Sequence, residues 1–400
     1  MLFLIGLMGL VSIMDQYIST VKTTAIPYIL KQYALTAPQF SWLEALYLIP
    51  TFFIFVLNGL NDIIGRRLSI LILILMMGGS TIGIVYFTPS LTLFMVFYAI
   101  AMFTTVSNMW QIPVNEEAPA ARRGKLSTAV YVVGLLPFAA ILPPLLINTL
   151  GLDWKWMYGI VFVIMLITLV LWAFMRETLR YAAIREEQHR GVRASHFFGI
   201  GAISRTDLYY IAVSAAIWIC WLINSFLFLW AGYYFITLIG YSLAQWSLVL
   251  LGTLLAAMVG GISSGYVMDA IGRNRTLVIG SVGSAISFAA WGFVPTFFLP
   301  GFAIAAGFFI SFAYTWIIVY IPEIFPTERR GACFGWTSTV ARLSYVVGPA
   351  LAAILLTIFP TMQWYWVATG LVMLGPPMIL FIARPFETGR LELEEIELSR

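Results

Sequence analysis

Apolar stretches of about 20 residues recur along the whole chain, and short polar segments separate them. The stretches are continuous, without the two-residue alternation of membrane strands, so they predict helices rather than a β-barrel. About 20 apolar residues suffice for a helix to cross a bilayer. The pattern therefore predicts an all-α membrane protein whose twelve transmembrane helices lie near residues 2–30, 41–60, 68–88, 92–114, 126–150, 156–175, 209–238, 245–266, 276–293, 297–321, 333–357 and 363–383.

Composition and charge agree with this pattern. Hydrophobic residues make up 61% of the chain and charged residues 10%, whereas roughly a quarter of a soluble protein is charged. Of the 22 Lys and Arg residues, 18 fall in alternate connections and the tail. By the positive-inside rule these segments and both termini are cytoplasmic. We expect a multi-pass cell-membrane protein surrounded by the lipid bilayer, and the basic residues do not indicate a nucleic-acid partner.

Few residues in the chain suit enzymatic chemistry or metal binding. Cys220 and Cys333 lie in or beside apolar stretches, and His189 and His196 share one polar segment without a metal-ligand spacing. No nucleophile-base set and no phosphate-binding Walker loop is present in the sequence. We therefore expect no enzyme activity, no metal, no cofactor and no obligatory protein partner.

Charged motifs repeat at a constant offset in the two halves of the chain. The pattern Asp-x-x-Gly-Arg begins at Asp62 and again at Asp269, and Glu116 has its counterpart at Glu323, both pairs being 207 residues apart. A Glu-Thr pair after the sixth and the twelfth span repeats at an offset of 210. Parallel repeats of this kind are typical of secondary transporters. The predicted parts are a six-helix bundle at 1–175, a cytoplasmic interdomain segment at 176–207, a second bundle at 208–384 and a cytoplasmic tail at 385–400.

The two Asp-x-x-Gly-Arg loops after the second and eighth spans resemble those of the major facilitator superfamily. The first copy has Asn58 where a leading glycine is usual, and the second has the expected Gly265. Further marks, such as the Pro-Glu-x-Phe-Pro-Thr segment from Pro322 to Thr327, are similar to those of the branch that contains sugar porters and organic-ion symporters. The resemblance implies two six-helix bundles and transport by alternating access.

Charged residues at the predicted cytoplasmic helix ends are candidates for a gate. Carboxylates and arginines that pair in only one of two rocking states would hold that face shut while the cavity opens outward. The alternative is that they only fix helix ends and topology. The gate candidates are Asp62, Arg66, Glu116, Arg123, Asp269, Arg273, Glu323 and Arg330.

Three ionisable residues fall inside predicted spans, where a charge is costly and is usually kept for a functional reason. Asp15 occupies the place on the first helix where proton-coupled members of the resembled branch carry a protonatable aspartate, which makes it the candidate for proton coupling. The usual arginine partner on helix 4 is replaced by Val96, so Lys22 or Arg342 would supply the counter-charge. Lys22 is about 10 Å from Asp15 along a helix. The alternative for Asp15 is a neutral carboxyl bonded to the backbone or Ser12.

Arg342 resembles the helix-11 arginine of organic-anion members of the branch. A guanidinium donates two parallel hydrogen bonds to a carboxylate, which suits an anionic substrate. The alternative is a structural pair with a carboxylate elsewhere in the bundle. Glu44 lies nearer the outer end of its span and is expected at the membrane interface. The full set of substrate-binding candidates is Arg342, Lys22, Asn224, Tyr233, Tyr234, Trp110 and Trp316.

These features together predict a secondary active transporter. We expect it to move a small polar metabolite, an organic anion, by alternating access with proton coupling. The alternative is a sugar or polyol carrier, driven by protons or facilitative. Its expected partners are a small-molecule substrate and protons.

Overall fold

The computed structural model describes residues 1–54, 64–105, 107, 109–118, 123–179, 181–182, 186, 203–326 and 330–389. Within these ranges the secondary structure is helical and no strand occurs. Eight of the helices are long and apolar enough to cross a membrane, and two shorter apolar helices, Leu91–Thr105 and Trp156–Trp172, accompany them. The chain forms two compact units, one comprising Met1–Tyr28 with Tyr47–Phe198 and the other Ile29–Leu46 with Gly199–Arg400.

The first unit is built around the helices Arg66–Tyr86, Leu91–Thr105 and Trp156–Trp172. The helix Arg66–Tyr86 packs against both of the others. The first helix of the chain continues from this unit into the second. The helical segments in this part of the sequence are Leu2–Gln32, Ala37–Tyr47, Ile49–Phe53, Arg66–Tyr86, Leu91–Thr105, Gln111–Glu117, Arg123–Gly134, Phe138–Pro144, Leu145–Thr149 and Trp156–Trp172.

The second unit has the same kind of core. The helix Leu299–Ile324 packs against Leu243–Ile271 and Arg273–Ala290, and the helix Arg205–Phe228 packs against both parts of the eleventh span. Ser204 and Ser242 begin two of the helices with capping boxes, which satisfy backbone N–H groups of the first turn. The helical segments are Arg205–Phe228, Ala231–Tyr233, Tyr234–Leu238, Leu243–Ile271, Arg273–Ala290, Leu299–Ile324, Arg330–Ala341, Ser344–Ile358, Gln363–Val372 and Gly375–Ala383.

One segment from the first half of the sequence belongs to the second unit. Ile29–Leu46 contains the end of the first helix and most of the helix Ala37–Tyr47. Within the second unit, Ser41 Oγ donates a hydrogen bond of 2.7 Å to Pro349 O, and the ring of Phe40 meets Trp230 edge to face at 6.3 Å. The sequence repeat alone assigns this segment to the first bundle, so its packing is information that only the structure supplies.

Several predicted spans are broken rather than continuous. The fifth span ends one helix at Gly134 and begins the next at Phe138, because Pro137 lacks the N–H that would continue the helix. The eleventh span breaks between Ala341 and Ser344, where the N–H of Arg342 lies between two carbonyls at 3.2 Å. This break gives Arg342 a position between two helical segments rather than on a continuous helix face.

Candidate functional site

The first charged cluster, the Arg66 cluster, comprises Arg66, Glu116, Glu177 and Thr178. The Arg66 guanidinium donates to both oxygens of Glu116, with Nη2 to Oε1 at 2.7 Å and Nε to Oε2 at 3.2 Å. Thr178 Oγ1 donates to the same carboxylate at 2.6 Å. The side chains of Arg66 and Glu116 are only 8% and 11% exposed. A forked pair held out of water in this way is stronger than an exposed ion pair.

The second cluster, the Arg273 cluster, reproduces this arrangement with Arg273, Glu323, Glu387 and Thr388. Arg273 Nη2 donates to Glu323 Oε1 at 3.0 Å, and Thr388 Oγ1 donates to Glu323 Oε2 at 2.8 Å. Asp269 adds a further oxygen 3.1 Å from Arg273 Nη1. The hydrogen bond that Arg273 donates to Glu323 is the largest influence that raises the pKa of the Arg273 guanidinium above its usual value.

In both clusters a carboxylate also caps the helix that the arginine begins. Glu177 accepts from the backbone N–H of Arg66 at 2.9 Å, and Glu387 accepts from that of Arg273 at 2.8 Å. These N–H groups have no partner inside their own helix, and the helix dipole favours negative charge there. The glycines before the two arginines share a backbone φ of 97°, a conformation almost confined to glycine. A Cβ on the second, Gly272, would lie 3.1 Å from the Glu387 carboxyl.

The gate candidates therefore come together within each unit. Arg66 pairs with Glu116 in the first unit, and Arg273 pairs with Glu323 and Asp269 in the second. The Glu-Thr pairs complete each cluster, although the candidates named from sequence did not include them. The repeat of the Glu-Thr pair at an offset of 210 residues was the sequence signal that could have identified these residues. Asp62 and the side chains of Arg123 and Arg330 lie outside the described residues.

Asp15 is buried on the first helix, with 2% of its surface exposed. Gln16 Nε2 donates to Asp15 Oδ2 at 3.0 Å, and Ser19 Oγ donates to the Asp15 carbonyl at 3.0 Å. The helix approaches the fifth span closely here, since a Cβ at Gly134 would collide with the hydroxyl of Ser12. Among the described residues Ser12 Oγ makes no hydrogen bond, so the contact with Asp15 considered above is not formed.

Lys22 is fully buried in the same helix, and the side chains of Thr23 and Thr24 beside it are fully buried too. Both candidate ionisable residues of the first helix belong to the first unit and are buried in the folded chain. An ionisable residue buried in a membrane helix is costly and is usually kept for a functional reason. Their roles remain predictions.

Arg342 lies at the break of the eleventh span and is 3% exposed. Its Cζ is 5.5 Å from the ring centroids of both Trp218 and Tyr345. Its Nη2 is 3.5 Å from Ser338 Oγ, at the limit of a hydrogen bond. Cations within about 6 Å of a ring centroid are stabilised by the ring's electrons. The structure thus holds this guanidinium between aromatic side chains inside the second unit.

The candidates on the seventh span face the interior of the second unit. Asn224 is fully buried and donates through Nδ2 to Thr369 O at 2.9 Å. Tyr234 stacks on Trp291 with centroids 6.2 Å apart, and its neighbour Tyr233 is half-buried against Trp230 at 5.7 Å. Asn224 and Tyr234 are therefore engaged in packing, whereas Tyr233 retains exposed surface.

Trp110 and Trp316 are both nearly or fully buried. Trp316 stacks on Tyr320 at 4.4 Å and donates through Nε1 to Asn274 Oδ1 at 3.2 Å. Asn274 follows Arg273, so Trp316 lies next to the Arg273 cluster. Within the described residues the indole N–H of Trp110 has no hydrogen-bond acceptor.

Glu44 differs from its expected interfacial position. Its side chain is fully buried in the second unit and interacts electrostatically with Tyr365. Tyr365 in turn donates to Leu227 O at 2.9 Å. The sequence placed Glu44 near the outer end of its span, but it did not predict that the helix would pack against the other half. Glu44 is thus a buried charge missing from the candidates named from sequence.

Comparison with known proteins identifies the family. The sequence profile of the Major Facilitator Superfamily matches residues 5–263 and 238–397, which together cover nearly the whole chain. The chain belongs to the major facilitator superfamily. The inward-open xylose transporter XylE from E. coli has a similar structure, with a TM-score of 0.75 over 98% of each chain at 17% identity. At that identity the likeness shows the fold alone. The predicted twelve-helix fold of two six-helix bundles is thereby confirmed.

Curated members of this superfamily resemble parts of the sequence. The cis,cis-muconate transport protein of Acinetobacter baylyi is 27% identical over 128 residues, which cover 30% of each chain. The niacin transporter NiaP of the same organism is 28% identical over 161 residues, covering 40% of this chain and 36% of the relative. The chain thus matches about a third of the length of these relatives. The protein is a multi-pass membrane protein of the major facilitator superfamily.

Proposed function

We propose that this major facilitator superfamily transporter carries a small organic anion by alternating access, coupled to protons through Asp15. The observation that carries the proposal is Arg342, a guanidinium 3% exposed within the second unit. A buried cation is costly in a membrane protein and is usually kept for a pathway or ligand. The planar fork of arginine matches a carboxylate. Two of the similar curated proteins are named as transporters of muconate and of niacin, both of which are carboxylates, and this supports the same class of substrate.

Asp15 is the proposed proton carrier because it combines burial with a local hydrogen bond. Asp15 is 2% exposed, and alternating access would change its surroundings between the two states, as a proton-coupling carboxyl requires. The Gln16 amide at 3.0 Å is a donor to the ionised form. A D-xylose-proton symporter has a similar structure, which supports proton coupling within this fold.

The proposed orientation has both termini and the two clusters on the cytoplasmic side of the cell membrane. It rests on the positive-inside distribution of Lys and Arg. In this orientation the Arg66 and Arg273 clusters order the cytoplasmic helix ends of their own halves. We propose that the gate also involves Asp62, Arg123 and Arg330, so that neutralising its carboxylates shifts the balance between outward-open and inward-open states.

A sugar or polyol carrier is the second candidate, supported by the likeness to the xylose transporter. The two candidates differ in what Arg342 does. For an organic acid, Arg342→Gln should weaken binding by about 2–5 kcal/mol. Arg342→Lys should weaken binding less, because lysine keeps the positive charge but lacks the planar fork that binds both carboxylate oxygens. For a neutral sugar the affinity should hardly depend on either substitution.

The test is a thermal-shift screen of purified protein with organic acids and sugars, followed by counterflow of the best radiolabelled solute in liposomes. A ligand that binds only the folded state stabilises it by RT ln(1 + [L]/Kd) and so raises the melting temperature. The best acid and the best sugar are then compared in wild type, Arg342→Lys and Arg342→Gln. Trp364→Leu, at a half-exposed ring in the same unit, is the folding control. An acid whose affinity ignores both arginine substitutions would contradict the anion proposal.

A further inference from the structure

Two aromatic side chains lie beside the Arg342 guanidinium, which recognition of a negative charge does not by itself require. Trp218 and Tyr345 each place a ring centroid 5.5 Å from the guanidinium carbon. Trp218 comes from the helix Arg205–Phe228, and Tyr345 lies just after the break that holds Arg342. Two elements of the second unit therefore contribute one ring each to the same cation.

Both rings are held in place by further aromatic contacts. Tyr345 meets Phe226 edge to face, with centroids 4.8 Å apart and planes at 78°. Trp218 meets Phe334 at 5.9 Å. Phe226 itself fits closely over Gly348, where a Cβ would come within 3.0 Å of its ring. These contacts restrict rotation of the rings beside Arg342, so packing within the second unit fixes their orientation.

From this arrangement we infer that the Arg342 site selects carboxylates conjugated to a flat π-system over saturated carboxylates of the same charge. The inference rests on the proposed function, because it assumes that Arg342 binds the substrate carboxylate. A carboxylate on the fork lies in the plane of the guanidinium. A conjugated acid keeps its attached ring or double bond close to that plane, so its π-face can stack on an aromatic side chain that already lies over the guanidinium. A saturated ring is puckered and has no π-face to stack.

The expected size of the preference follows from aromatic pairing. Aromatic contacts contribute stabilisation beyond simple burial, which corresponds to about a fivefold gain in affinity for one good ring contact. The hydrophobic effect acts in the opposite direction, because a saturated ring of equal carbon number is the more apolar ligand. A site that only buries apolar surface would therefore favour the saturated acid, whereas a site that stacks aromatic rings favours the conjugated acid. Which of the two acids binds more tightly distinguishes these two kinds of site.

The experiment measures the affinities of benzoate and cyclohexanecarboxylate for the purified full-length protein, by competition in counterflow and by thermal shift. The variants are Trp218→Leu, Tyr345→Leu and Arg342→Gln, with Trp218→Phe as a change that keeps a ring and Trp364→Leu as the matched control. We expect wild type and Trp364→Leu to bind benzoate about fivefold more tightly. Trp218→Leu or Tyr345→Leu should bring the two affinities within about twofold, while Trp218→Phe retains most of the preference.

The outcomes distinguish this inference from the proposed function. If no organic acid of the screen binds wild type, or if Arg342→Gln leaves both affinities unchanged, the anion-binding proposal itself is overturned. If the screen finds an acid that binds through Arg342 but benzoate does not bind, the selectivity inference is overturned. If both acids bind through Arg342 but wild type binds them equally or favours cyclohexanecarboxylate, the anion proposal stands and the selectivity inference is overturned. Selectivity that survives in both leucine variants overturns it as well.

Discussion

The repeat offers a controlled test of the two charged clusters, because the same substitution can be made at Glu116 and at Glu323. Replacing either glutamate by glutamine keeps the side-chain shape and removes the charge. In the first unit the pair with Arg66 has side chains 8% and 11% exposed, and in the second the pair with Arg273 has side chains 12% and 24% exposed. Each substitution replaces one carboxylate that faces a guanidinium by a neutral amide, and the two sites differ in burial.

The size of the effect follows from these exposures. Breaking a fully buried pair costs about 3–5 kcal/mol and an exposed pair about 0–1 kcal/mol. Glu116→Gln should therefore lower the free energy of unfolding by about 3 kcal/mol, towards the buried limit. Glu323→Gln should lower it by about 1–2 kcal/mol, because Glu323 is more exposed and Asp269 still lies 3.1 Å from Arg273.

The assay is unfolding of the purified protein in mixed micelles, followed by far-ultraviolet circular dichroism during a titration with sodium dodecyl sulfate. Asp153→Asn serves as the control, since it neutralises an exposed carboxylate and keeps an oxygen for the N–H of Lys155 at 2.9 Å. Losses within about 0.5 kcal/mol of the control at both positions would mean that the clusters behave as exposed pairs. A larger loss at Glu323 than at Glu116 would contradict the argument from burial.

Three further predictions concern the proton, the gate and the glycine of the repeated loop. Asp15→Asn should abolish uptake driven by a pH gradient while leaving solute exchange intact, and gradient-driven accumulation by this variant would show that the proton binds elsewhere. Asp62→Asn combined with Asp269→Asn should raise the reaction of engineered cysteines with probes from the cytoplasm and lower it from outside; unchanged labelling on both sides would leave these residues as topology anchors. Gly272→Ala should destabilise the protein by about 1–3 kcal/mol, measured by the same micelle titration, because φ of 97° strains any other residue; a neutral effect would mean that the loop adjusts freely.

The clusters show what a repeat in the sequence can predict. Residues at equal offsets from a common helix end occupy equivalent places in two halves of the same fold. Motifs repeated at offsets of 207 and 210 residues accordingly make equivalent contacts in the two units. The Glu-Thr pair at Glu177 lies beside the ion pair of Arg66, and the one at Glu387 lies beside that of Arg273. The repeat therefore indicated which residues are equivalent in the two halves, but the capping role of Glu177 and Glu387 came only from the structure.

The directions of buried side chains could not be predicted in the same way. A membrane helix is apolar on all sides, so hydrophobic periodicity does not tell which side faces a neighbouring helix. Trp316 was a cavity candidate, yet its indole bonds to Asn274 beside the Arg273 cluster. Glu44 was expected at the interface and is buried. The break at Arg342 depends on tertiary packing, which the apolar pattern of the eleventh span does not record.

The proposed proton and anion sites are assigned to different compact units, Asp15 to the first and Arg342 to the second. Under this proposal coupling between them does not require a direct bond. If protonation of Asp15 favours one state of the transporter, and that state binds the anion more tightly, each ligand raises the affinity for the other by the same factor. Binding of the acid must then draw a proton onto Asp15, and Asp15→Asn must remove both the proton uptake and the pH dependence of acid affinity together. Because the two effects express a single coupling free energy, the loss of only one of them would be inconsistent with coupling through the equilibrium between states.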